Sequence, residues 1–140
     1  MFDFEDLLVY NKAVELHISI DEMLNSIKTH RYVRDQLGRA SLSVALNIAE
    51  GASRFSKKDR RRFYVISRGS AYECAALSGI MNKNGLLTTE VATKLRSKYL
   101  EILKMLYAMI KRLEELNLRA LLFYVSPLFT YPSPLNLPLP

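Results

Sequence analysis

Every proline in this chain lies within its last 14 residues: Pro127, Pro132, Pro134, Pro138 and Pro140. The 126 residues before them contain none. A proline inside a helix removes a hydrogen-bond donor and clashes with the preceding turn, so a proline-free stretch of that length suits long helices. The end of the chain is a different material. No charged residue follows Arg119, and Ser126 to Pro140 reads as an apolar, extended segment. The expected organisation is a helical domain over residues 1–119 and an apolar Pro-rich tail over 120–140. The tail is expected to pack on its own bundle or on a neighbouring subunit. A chain of 140 residues suits one domain with a single core.

Four amphipathic segments fill the first part. Val9, Ala13, Leu16, Ile20, Met23 and Ile27 recur at spacings of four and three, the seam of a bundle helix running from about Phe4 to Lys28. A second helix is predicted from about Arg34 to Glu50. Leu37, Ala40, Ser41, Val44 and Ile48 form one stripe on it, and Leu42, Ala45, Leu46 and Ala49 form another. A helix apolar on more than one side needs burial on more than one side, so the second stripe predicts contact with another subunit. Gly51 is read as the C-terminal stop. The third helix is predicted from a Ser56/Asp59 capping box to about Lys83, with a seam of Phe63, Ile66, Ser70, Cys74, Leu77 and Met81. Its glycines, Gly69 and Gly79, predict close approach of neighbouring helices. Asn84 and Gly85 end it. The fourth helix is predicted to start at Thr88 or Thr89 and to carry Val91, Leu95, Tyr99, Ile102, Leu106, Met109, Leu113 and Leu116 until Asn117. Short connections between such segments predict an all-α, antiparallel up-down four-helix bundle.

The same residues exclude several chemistries. One cysteine, Cys74, permits neither an internal disulfide framework nor a multi-cysteine zinc site, and its apolar stripe marks it as a core residue. Neither His17 nor His30 has the Glu three residues earlier that a di-iron bundle requires. No phosphate-cradling loop or dinucleotide fingerprint occurs. The expectation is a protein without metal, cofactor or catalytic residues. The acidic start, Asp3, Glu5 and Asp6, is unlike a secretory signal, and no uncharged apolar run reaches the roughly 18 residues of a membrane span. A cytoplasmic location without membrane contact is expected.

Charge is unevenly placed. Residues 1–28 carry a net −4, whereas residues 31–68 carry ten bases and three acids, a net +7 that exceeds the +6 of the whole chain. Lys57, Lys58, Arg60, Arg61 and Arg62 crowd the first turns of the third helix. Helix amides and the macrodipole there favour anions, so this crowding is unfavourable unless an anion such as phosphate joins it. On a helical wheel Lys57, Arg61, Tyr64 and Arg68 fall on one side. With Arg54, Lys58 and Arg62 they form a candidate nucleic-acid-binding surface for RNA or DNA, gripping phosphates and stacking a base on Tyr64. The alternative is a protein-interaction scaffold in which these bases serve subunit contacts or an acidic protein.

The run Gln36-Leu37-Gly38-Arg39-Ala40-Ser41-Leu42-Ser43-Val44-Ala45-Leu46-Asn47-Ile48-Ala49-Glu50-Gly51 resembles the signature of a bacterial family of four-helix bundle proteins encoded by intervening sequences in 23S ribosomal RNA genes, the S23 family. Phe4-Glu5-Asp6-Leu7, Arg54-Phe55-Ser56-Lys57-Lys58-Asp59 and Arg68-Gly69-Ser70-Ala71-Tyr72-Glu73-Cys74 agree with it. The resemblance covers about residues 2–118. It implies a closed antiparallel bundle, often a homopentamer. It also implies kinship with the accessory variability protein of diversity-generating retroelements, a basic pentamer that binds nucleic acid and a reverse transcriptase. Ala45 stands where the family commonly has proline, so a straighter helix is expected here. Read from the residues alone, Asn47, Glu50, Gly51 and Ser70 form a structural lock: Glu50 is expected to pair with Arg54, Arg68 or Arg39, and Asn47 with Ser70 to bridge the second and third helices.

Overall fold

The computed structural model describes residues 2–125. A single 3-10 turn, Asp3–Asp6, leads into α1 (Leu8–Ser26), α2 (Arg31–Ala52), α3 (Lys57–Lys83) and α4 (Thr89–Val125). The described residues contain no strand. Each helix packs on the next in sequence and α4 closes on α1, while the diagonal pairs make no close backbone approach. The result is an up-down four-helix bundle.

The helix ends follow from local chemistry. Ser56 Oγ accepts the Asp59 amide at 3.1 Å and caps α3. Thr88 Oγ1 accepts the Val91 amide at 3.3 Å and caps α4, which decides between the two threonines. Gly85, with φ of +72°, turns the chain between them in a conformation that favours glycine. Two boundaries differ from the sequence reading. At the start, the backbone of Leu7 is extended, so residues before it form a separate turn with Phe4 edge-on to Tyr10. At the far end, α4 continues past Asn117 to Val125, although no side chain beyond Leu113 in the described part of α4 is buried. The tail after Val125 lies outside the described residues.

The core is one continuous column. Val9, Ala13, Leu16, Ile20 and Leu24 of α1 face Leu37, Ala40, Val44 and Ile48 of α2 and Tyr99, Ile102, Leu106 and Ile110 of α4. In α3 the buried seam is Tyr64, Ser67, Ala71, Cys74, Ser78 and Met81. It replaces the expected Phe63–Ile66–Ser70–Leu77 line, keeping only Cys74 and Met81 from it. Ser67 can be fully buried because its hydroxyl donates to the Val44 carbonyl at 2.8 Å. Of the displaced residues Ile66 is exposed, near the level of the exposed Leu46 of α2, while Phe63, Ser70 and Leu77 are half-buried. Ala45, grouped with that outward stripe in the sequence, is buried.

Candidate nucleic-acid interface

The last turn of α2 and the first turns of α3 form one polar corner. Gly51, read from sequence as the C-terminal stop, lies buried within the last turn of α2, which ends one residue later at Ala52. A Cβ at this position would come within 2.7 Å of the Tyr64 ring, so the absent side chain is what lets α3 start so close to α2. Tyr64 is consequently buried rather than displayed beside Lys57 and Arg61. Its burial pushes the phenol up from its ordinary value, with Arg60 partly opposing the shift. A buried ring cannot stack on a base, which removes Tyr64 from the surface it was assigned to.

The bases of this corner divide into engaged and free groups. Arg54 pairs with Glu50, one of the three partners foreseen for that carboxylate, and its guanidinium lies 4.5 Å from the Phe63 ring centroid. Arg60 donates to the Arg54 carbonyl at 2.9 Å. Arg61 forms a two-pronged contact with Glu114 of α4 at 2.7 and 2.8 Å. Lys57, Lys58 and Arg62 are exposed and make no ion pair among the described residues. Lys58, Arg61 and Arg62 line a shallow depression of about 580 Å³ with Asp59, Val65 and Ile66. Arg68 lies two turns further along α3 on the same side as Arg61, 5.2 Å from the Tyr72 ring.

The polar lock has a different wiring from the direct bridge expected. Asn47 Nδ2 donates to the Ser43 carbonyl at 2.8 Å and to its hydroxyl at 3.0 Å. Ser43 then meets Ser70 of α3 at 2.9 Å. Asn47 therefore reaches Ser70 through Ser43, a small residue whose i, i+4 spacing from Asn47 was the available signal. Residues 5–108, which carry this lock and the basic corner, match the sequence model of the 23S rRNA-intervening sequence proteins. The chain belongs to that family. A crystal structure from the S23 ribosomal protein family, a protein with unknown function from Bacteroides thetaiotaomicron VPI-5482, superposes with a TM-score of 0.70 at 22% identity. The match covers 74% of this chain and 99% of that one. No curated protein matches the chain.

The described residues offer little to a metal or to covalent chemistry. Among the described residues no group of three or more His, Cys, Asp or Glu is placed to hold a metal ion. Cys74 is fully buried, and burial pushes its thiol up to about 11. A raised pKa disfavours the thiolate, the nucleophilic form. His17 is half-buried at the α1–α2 seam with Nδ1 2.8 Å from Ser41 Oγ, and His30 precedes α2 and stacks on Tyr32. No helix of the described residues is long and apolar enough to cross a membrane.

Among the exposed aromatics that the sequence reading left out, two stand beside cations on the long helices. Tyr72 and Tyr107 face solvent on α3 and α4, each with a cation four residues away in sequence, Arg68 and Lys111, over its ring. The i, i+4 pairing of a base with a tyrosine was the legible signal.

Proposed function

We propose that this protein is a non-enzymatic, self-associating bundle that holds nucleic acid by phosphate contacts at the start of α3. The observation that carries the reading is the trio Lys57, Lys58 and Arg62, exposed on the first two turns with no carboxylate pairing among the described residues. Cations crowded at the positive end of a helix dipole repel the dipole, and a phosphate there would turn both interactions favourable. Phosphate contacts of this kind position a nucleic acid without reading its sequence, so RNA and DNA are both admitted.

Self-association is supported by the outward apolar residues. Leu42 and Leu46 of α2 and Val65 and Ile66 of α3 are all exposed, with Leu46 and Ile66 near one level. A Cβ at Gly69 or Gly38 would meet nothing within 4 Å, so the close approach that mid-helix glycine permits is not used within one chain. Another copy, in the ring or homopentamer that the resemblance implies, would cover this face. Such a ring would also multiply the cationic corners.

A fluorescence anisotropy titration with labelled RNA and DNA oligonucleotides at several salt concentrations tests the reading. Binding at about 50 mM salt that falls steeply with added salt, and is weakened in a Lys57→Gln, Lys58→Gln, Arg62→Gln variant, is expected. Absent or salt-insensitive binding overturns it. The second reading, a protein-interaction scaffold, is favoured by the engagement of Arg54 and Arg61 with Glu50 and Glu114. In that case charge reversal at Arg61 and Arg68 breaks assembly or partner capture and leaves nucleic-acid binding unchanged.

A further inference from the structure

The groove between α3 and α4 carries two exposed tyrosine faces, each beside a cation. Tyr72 and Tyr107 are each 53% exposed and Leu100 is 52% exposed, a large apolar display for a face bordered by charge. The Arg68 guanidinium lies 5.2 Å from the Tyr72 centroid and the Lys111 ammonium 5.9 Å from that of Tyr107. The Arg61–Glu114 pair sets the antiparallel register of the two helices, bringing Arg68 level with Tyr107 and Tyr72 level with Leu103. The two tyrosines thus stand about one helical turn apart along one groove. Beside Tyr72 the small side chains of Ala75, Ala76 and Ser97 open a depression of about 540 Å³, with Arg96 and Leu100 on its walls.

The charge of this groove is one-sided. Arg96 lines the depression, Arg68 lies by Tyr72 and Lys111 by Tyr107, and exposed Lys104 falls on α4 between Leu100 and Tyr107. The carboxylates on this side of α4, Glu114 and Glu115, sit at its far end, where Glu114 is already held by Arg61. A cationic groove with exposed rings is complementary to an anion that also carries flat apolar faces. In a duplex those faces are stacked on one another and hidden. In a single strand they are free.

We propose that the α3–α4 groove binds single-stranded nucleic acid, with bases stacked on Tyr72 and Tyr107 and phosphates held by Arg68, Arg96, Lys104 and Lys111. The proposal rests on the nucleic-acid reading above and narrows it to unpaired strands and to a second surface. Base stacking on an aromatic ring is stronger than an exposed cation–π contact, so a base can replace Arg68 or Lys111 on its ring. The displaced cation is then one side-chain length from the phosphate that the base brings with it.

The test is an anisotropy titration of the full chain with a labelled single strand and with the duplex of the same sequence, at about 50 mM salt. Three proteins are compared: the wild type, a Tyr72→Ala, Tyr107→Ala pair and a Tyr72→Phe, Tyr107→Phe pair, with helicity checked by circular dichroism. The wild type should prefer the single strand. The alanine pair should lose about tenfold or more on the single strand and little on the duplex, while the phenylalanine pair retains binding. An alanine pair that binds the single strand like the wild type overturns the groove, as does an equal loss on both nucleic acids or a phenylalanine pair as weak as the alanine pair. In each of those cases binding through the α3 start still stands. A wild type that binds neither nucleic acid overturns the broader reading and the groove together.

Discussion

Gly51 of α2 lies against the ring of Tyr64 of α3, so close that a Cβ on the glycine would stand 2.7 Å from Cε1 and 2.8 Å from Cδ1, with Phe63 Cβ at 3.1 Å. Tyr64 is buried and cannot swing aside into solvent. Gly51→Ala should therefore destabilise the bundle by about 1–3 kcal/mol, the range for overpacking a filled core, despite the better helix propensity of alanine. Urea denaturation checks this. Tyr64→Leu, which removes the ring that the new methyl would strike, should make the Gly51→Ala cost smaller in a double-mutant cycle. Equal costs in both backgrounds would show that the contact does not limit packing.

The helices, their order and the region of their caps were legible because each depends on local signals: Ser56 before Asp59, Thr88 or Thr89 before the stripe of α4, Asn84-Gly85 between helices. The seam of α3 was not. Hydropathy prefers Phe63 and Ile66 to Tyr64 and Ser67, yet the second pair is inside. Ser67 is small enough for the close α2–α3 approach and finds the Val44 carbonyl, whereas Ile66 is left outside with Leu46. Hydropathy records how apolar a position is, not which neighbour covers it. The same error misplaced Tyr64, since a wheel drawn about the wrong seam puts it on the wrong face. The register between helices, which pairs Arg61 with Glu114 across 53 positions, has no local signal at all.

Cys74 gives a pH dependence with a definite sign. Its thiol is fully buried, and burial pushes it from 9.0 up to about 11. Tyr99 of α4, the neighbour of that thiol, is itself pushed up by burial. Below about pH 9 the thiol is neutral in both folded and unfolded chains and has no effect on the balance. As pH rises from 9 to about 11 the unfolded thiol ionises and the folded one does not, so stability falls, by an amount on the order of 2–3 kcal/mol at the upper end. Urea midpoints at pH 8 and pH 10.5 should fall further apart in the wild type than in Cys74→Ala. Parallel behaviour of the two proteins would refute the assignment.

Leu46 and Ile66, exposed at one level of the α2–α3 face, make self-association testable without touching the core. Leu46→Glu or Ile66→Glu places a charge where the next subunit would pack, and a buried unpaired charge is strongly unfavourable. Either variant should be monomeric by light scattering at micromolar concentration, with unchanged helicity, whereas the wild type should be oligomeric. A monomeric wild type under the same conditions would remove the ring and every argument that depends on it.

Among the described residues Arg61 is the one base of the α3 start that α4 neutralises, through Glu114 at 2.7 Å. Both side chains remain nearly half exposed, so the pair adds only about 0–1 kcal/mol to stability. Glu114→Gln should therefore leave the urea midpoint almost unchanged. Its effect on nucleic acid should be larger, because it removes a negative charge from the cationic surface and frees Arg61 for a phosphate. The plot of log K against log salt should steepen by about one phosphate contact, with tighter binding at low salt. Arg61→Gln should do the opposite by no more than the same amount, since that arginine is already engaged in the wild type. If Glu114→Gln instead lowers the stability by several kcal/mol and leaves binding as it was, the contact is part of the fold's framework and Arg61 does not belong to the binding surface.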